Sequence, residues 1–128
     1  MSTHAEIFVE TRRGEFTGTY VHFDGYPQTC GAGVACRSYQ EIKDAVLGAQ
    51  KTGGLCFVGP NEIEAYATPR TCIIPSLRAS RERFVYVKRR SGTTYMYVGG
   101  VMTLFARAPK KREPIEPSSQ AVQITAEP

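Results

Sequence analysis

His22 stands two residues before Asp24 in the stretch Gly18-Thr-Tyr-Val-His-Phe-Asp-Gly-Tyr-Pro27, and it is one of only two histidines in the chain. An imidazole beside a carboxylate can move protons near neutral pH, and both groups can ligate a metal. If the protein is an enzyme, His22 and Asp24 are therefore its candidate catalytic residues. The competing reading makes Asp24 a turn residue bonded to the backbone ahead of it, with His22 bonded locally. No other catalytic pattern is complete. The chain has no G-x-x-x-x-G-K-[ST], no G-x-G-x-x-G and no H-E-x-x-H, and no nucleophile elbow marks a serine. Glu62 and Glu64 lie two apart, a spacing common on solvated surfaces. No catalytic residue is assigned outright, no cofactor is expected, and an enzyme is the weakest of the function classes.

Cysteines fall at 30, 36, 56 and 72, without a C-x-x-C pair. The common zinc and redox spacings are thus absent, and free, buried thiols are expected. A mixed site of Cys30, Cys36 and His22 is the one metal arrangement the spacing leaves open, and no metal is assigned.

Charge is distributed unevenly. Residues 1–67 hold 5 basic and 8 acidic side chains, residues 68–112 hold 11 basic and one acidic, and residues 113–128 hold three acids and no base. A block this basic suits a polyanion or an acidic protein surface, although arginines also solvate ordinary exposed faces. Within it, Arg78, Arg81, Arg83, Tyr86, Lys88, Arg89, Arg90, Tyr95 and Tyr97 are the candidate partner-binding residues. Arginines beside tyrosines can pair with phosphates and stack on bases. The stretch Arg83-Phe-Val-Tyr-Val-Lys has a faint likeness to an RNA-recognition strand but lacks its glycine.

These residues need a scaffold. Ala5–Thr11 alternates, with Ile7 and Val9 on one face and Glu6, Phe8 and Glu10 on the other, so a strand is predicted. A turn pivoting on Gly14 returns it as a second strand to Phe23, closing a hairpin. Asp24-Gly25 ends that strand, with positive φ expected at Gly25, and Pro27 suits the start of a helical turn. Ser38 and Glu41 form an S-x-x-E capping box, and Ile42, Ala45, Val46 and Ala49 follow at helical spacing until Gly53-Gly54. Leu55–Val58 reads as a short buried strand or a loop anchor, and residues 60–80 as a long loop. Arg83–Arg90 and Thr93–Val98 flank Ser91-Gly92 as a second hairpin, and Val101–Ala106 suits one further strand.

The expected fold is α+β: a small antiparallel sheet of two β-hairpins with one main helix packed on a face. Residues 1–108 are read as a single domain and 109–128 as a flexible, disordered polar tail. At 128 residues with 41% hydrophobic side chains, the chain can bury a real core. It has no apolar run near the ~20 residues a membrane span requires. Its N-terminus shows no signal-peptide pattern, so a cytoplasmic location is expected.

The same motif carries a resemblance. Met1, Ser2, Thr3 and Ile7, followed by Tyr20, His22, Asp24, Gly25, Tyr26, Pro27 and Gly31, resemble a family of small phage and prophage proteins. That family typically reads M-S-T-R-x-x-I and then Y-x-H-W-D-G-Y-P-x-x-x-G. Phe23 replaces the usual tryptophan and His4 the usual basic residue, and the likeness covers roughly the first 50 residues. It implies a phage origin, an α+β fold and a location in the infected host cell, with Tyr20, His22, Asp24, Gly25, Tyr26 and Pro27 as the motif. It implies no reaction. The leading functional expectation is therefore a non-enzymatic accessory protein that inhibits or modulates a host macromolecule. Its partner would be a host protein with an acidic surface or, alternatively, nucleic acid, with no membrane involved.

Overall fold

A computed structural model describes residues 3–66 and 73–109. The expected tail beyond residue 109, Cys72 and the basic residues 110–112 lie outside the described residues. Strand β1 (Ala5–Arg12) turns at Gly14, whose φ is 79°, into β2 (Glu15–Phe23). The two pair antiparallel, with Ala5 opposite Val21 and Phe8 opposite Gly18. A π-helical turn (Pro27–Gly31) with proline at its start and a short helix α1 (Ala32–Ala35) follow. Helix α2 (Tyr39–Thr52) starts at Ser38, where the capping box forms in full, and stops at Gly53 in the left-handed region. Among the described residues the chain then adds β3 (Leu55–Val58), β4 (Ile63–Ala65), β5 (Phe84–Lys88), β6 (Thr94–Val98) and β7 (Val101–Ala106). No helix among them is long and apolar enough to cross a membrane.

All seven strands join one sheet in the order β4-β3-β2-β1-β5-β6-β7. The fold is α+β as expected, but the sheet is mixed rather than antiparallel. β2 pairs with β3 in parallel, and β1 pairs with β5 in parallel, Ala5 opposite Phe84 and Val9 opposite Lys88. The cause is the crossover. The helices carry the chain from the end of β2 back across the sheet, so β3 re-enters in the same direction as β2. The stretch read as a loop from residue 60 onward also contains β4, which hydrogen-bonds β3 through only three residues.

β1 is thus a central strand buried on both faces, which its alternation did not show. Ile7, Val9 and Val21 meet Val34, Ile42 and Val46 beneath the helices. On the opposite face, Phe8, Val85 and Val87 are buried under Phe16, Leu77, Tyr95, Tyr97 and Met102. The Phe8 ring lies so close to Gly18 that a Cβ there would be 2.5 Å from it. Leu77 belongs to the segment 73–83, which also anchors this face through Ser80, whose hydroxyl donates to the Glu6 carboxylate.

Candidate functional site

The strand–turn motif divides between packing and a surface cluster. Beyond β2 it is Asp24, not Gly25, that takes positive φ, at 55°. Aspartate tolerates the left-handed region better than most residues. Gly25 is needed for a different reason. Its N–H donates to the Thr3 carbonyl at 2.8 Å, and its own carbonyl accepts from the Tyr86 hydroxyl at 2.7 Å. A Cβ at Gly25 would lie 2.7 Å from Ala5 Cβ and 2.8 Å from the His4 carbonyl. Tyr26 is exposed, with its ring 5.7 Å from that of Phe84, and Pro27 opens the π-helical turn.

His22 lies on the sheet face away from the helices. Its Nδ1 is 2.9 Å from the Tyr20 hydroxyl. His4 stacks on it with centroids 5.1 Å apart and planes 25° off parallel, and Phe23 meets it edge-on at 4.4 Å. Both histidines of the chain are therefore in one cluster. His4 was legible by counting back two residues from Glu6, but only the β1–β2 register reveals that it lies beside His22. The anticipated His22–Asp24 pair is not formed. The turn takes Asp24 off the strand, and no hydrogen bond or ion pair joins the two residues. A tyrosine hydroxyl bonded to an imidazole can share a proton. Glu6, which is paired across the strands with Tyr20, is bound to Ser80, and burial pushes its carboxyl above the usual range against the effect of that hydrogen bond.

The structure likewise separates the mixed cysteine–histidine set. Cys30 is buried beneath the helices, where desolvation pushes its thiol up to about 12. Cys36 is exposed at the end of α1, and His22 occupies the opposite sheet face. Among the described residues no group of three or more histidine, cysteine or carboxylate side chains is arranged to hold a metal ion.

Two of the expected partner-binding residues are core residues. Tyr86 and Lys88 have no exposed surface, because alternate positions of β5 face the helices. Tyr86 bonds to Gly25, and burial raises its hydroxyl pKa. Lys88 Nζ donates to the carbonyls of Val34 at 3.0 Å and Ala35 at 3.4 Å, and to Thr94 Oγ1 at 3.1 Å. It satisfies the last carbonyls of α1, a favourable position for a cation. Desolvation nevertheless lowers its pKa to about 8, against the opposing fields of Cys36 and Glu41.

Arg89 is committed internally too. Its Nη2 is 2.8 Å from Glu10 Oε2, and its guanidinium lies 5.6 Å from the Phe16 ring and 5.9 Å from the Tyr95 ring. The Glu10 carboxylate also accepts from the backbone N–H groups of Arg90 and Gly14. The Arg89 hydrogen bond holds the Glu10 pKa at about 2, outweighing desolvation. Tyr95 and Tyr97 are half-buried in the small cluster. Arg78 and Arg81 are exposed on the segment 73–83, and Arg83 is exposed with its guanidinium 4.9 Å from the Phe84 ring.

Strand direction regroups these charges. Because β1 and β5 run parallel, the β1–β2 turn with Arg12 and Arg13 lies at the same end of the sheet as the β5–β6 turn with Arg90. β7 finishes at that end as well, since Thr94 pairs with Ala106 and a Cβ on Gly92 would lie 3.1 Å from Ala108 Cβ. Exposed Arg12, Arg13, Arg90 and Arg107 therefore come from three segments to one rim. Glu10 there is neutralised by Arg89, and Glu15 pairs across from Arg12. Arg83, at the start of β5, belongs to the opposite end. In the sequence the basic block reads as one surface without Arg12 and Arg13, which only the parallel pairing of β1 and β5 brings to Arg90. No family model matches this chain, and no curated protein or solved structure matches it.

Proposed function

We propose that this protein is a non-enzymatic binding protein that engages an acidic surface of another protein through the arginine rim. The observation that carries this reading is the convergence of Arg12, Arg13, Arg90 and Arg107 at one end of the sheet, while the nearby Glu10 is neutralised internally. Such clustering costs stability through self-repulsion, and packing does not call for it. A protein partner fits better than nucleic acid because half-buried Tyr95 and half-exposed Leu104, paired across β6 and β7, lie next to the rim. Arginine and tyrosine are enriched in protein interfaces. The resemblance of residues 1–50 to small phage and prophage proteins supports the further reading of a phage accessory protein directed at a host macromolecule.

The test compares polyglutamate with duplex DNA of matched charge, over a salt series, for the wild type and an Arg12→Glu, Arg13→Glu variant. Polyglutamate should be preferred, and the variant should weaken its binding at least tenfold, mainly by slowing association. A preference for duplex DNA, with log affinity falling steeply against log salt, would replace the reading with nucleic-acid binding. Equal binding by wild type and variant would remove the rim from the site.

A further inference from the structure

The two edges of the sheet are built differently. β4 is three residues long and carries exposed Glu64, a short and charged edge of the kind that discourages pairing. β7 is six residues, Val-Met-Thr-Leu-Phe-Ala, with no charge and no proline. Among the described residues it has a strand neighbour on one side only. It is also held firmly on that side. It pairs with β6 from Val101 to Leu104 and again at Ala106, with a bulge at Phe105, whose ring packs 5.9 Å from the Tyr86 ring, and Met102 joins the small cluster. Val101 is 61% exposed and Leu104 50%. The result is a preformed row of backbone donors and acceptors flanked by apolar side chains, which lowers the ordering cost of adding a strand.

Resting on the binding reading above, we infer that β7 is the docking edge itself, and that its occupant is an extended partner segment in which acidic residues alternate with apolar ones. The charge of the surroundings selects this occupant. No acidic residue occurs between positions 83 and 109, and the end of β7 delivers the segment to Arg107 and Arg90. A second copy of β7, Val-Met-Thr-Leu-Phe-Ala, carries no acidic residue to meet those cations in either orientation. Six residues of pairing correspond to a contact roughly 20 Å long, enough for a short linear segment.

The test uses full-length protein and an acetylated, amidated peptide alternating glutamate and valine, with a second peptide N-methylated at alternate positions to remove backbone donors at equal charge. Amide hydrogen exchange should slow at least tenfold at the outward amides of β7 on addition of the first peptide, and the N-methylated peptide should bind at least tenfold more weakly. Arg90→Glu with Arg107→Glu should weaken the first peptide at least tenfold, and the Arg→Gln pair at the same positions, which adds no negative charge near Glu10, should weaken it by less. Equal binding of both peptides with β7 unprotected would overturn strand addition and leave the binding reading standing. So would failure of both peptides while polyglutamate still binds. Failure of all three probes would remove both. Protection of β7 before any peptide is added would also overturn the inference, assigning the edge to the chain's own segment in a monomer or to a second copy in a dimer.

Discussion

Gly25 and Lys88 show how single positions are governed by what surrounds them. Gly25 lies where any Cβ meets Ala5 and the His4 backbone at under 3 Å. Gly25→Ala should therefore destabilise by about 1–3 kcal/mol through overlap, whereas Asp24→Gly should be nearly neutral, since Asp24 holds the left-handed φ. Denaturant midpoints of the two variants check both claims. Lys88 gives a pH signature. Its amine titrates near 8 when folded, against 10.5 for an ordinary lysine. Between those values the unfolded chain holds more protons, so this group makes stability rise as pH increases from about 8. Cys30 acts in the opposite sense above pH 9, because its thiol is pushed up to about 12 when folded. The wild type should therefore gain stability relative to Lys88→Met between pH 8 and 10, as measured by urea midpoints. The aspartate–glycine turn was legible in the sequence, but which of its two residues takes positive φ was not, because that depends on Thr3 and Ala5 pressing against Gly25.

At the scale of elements, the Glu10–Arg89 pair ties the end of β1 to the end of β5. Tyr39 adds α2 to the same point, with its hydroxyl donating to the Glu10 carbonyl at 2.5 Å. Arg89→Ala leaves a nearly buried carboxylate with only backbone donors; with Arg89 itself 35% exposed, the cost should be about 1–3 kcal/mol, below that of breaking a fully buried pair. Glu10 is held at about 2 against an ordinary 4.5. The stability it contributes is full above pH 4.5 and is lost as pH falls through 2. Acid unfolding of Glu10→Gln should lack that component, which a pH titration of stability will resolve. Local pattern announced β1, β2, β5, β6 and β7, and the Ser38–Glu41 box announced α2. β4 escaped notice because three residues carry no periodicity, and the parallel pairings did so because they join segments far apart in sequence. That is also why Arg89 looked like a surface residue. Its partner stands 79 positions earlier.

Across the whole molecule, the sheet order sets a gradient of protection. Among the described residues, β1 and β5 lie inside, paired on both sides, while β4 and β7 form the two edges. Native-state hydrogen exchange should accordingly place the slowest amides in β1 and β5 and the fastest strand amides in β4 and in the outward positions of β7. Slow exchange throughout β4 with fast exchange in β1 would contradict this sheet. The rim and the exposed edge belong to this scale as well, since neither exists until strands from both halves of the chain are side by side. The partnership of β1 with β5 has a further consequence during biosynthesis. When the first hairpin leaves the ribosome, Phe8 has no cover from Val85, Val87 or Leu77, which are encoded much later. At about 5–20 residues per second, translating from Phe23 to Phe84 takes roughly 3 to 12 seconds. For that interval the nascent chain displays an apolar ribbon with an unpaired flank, so its yield in a cell should depend on chaperones that shield emerging chains.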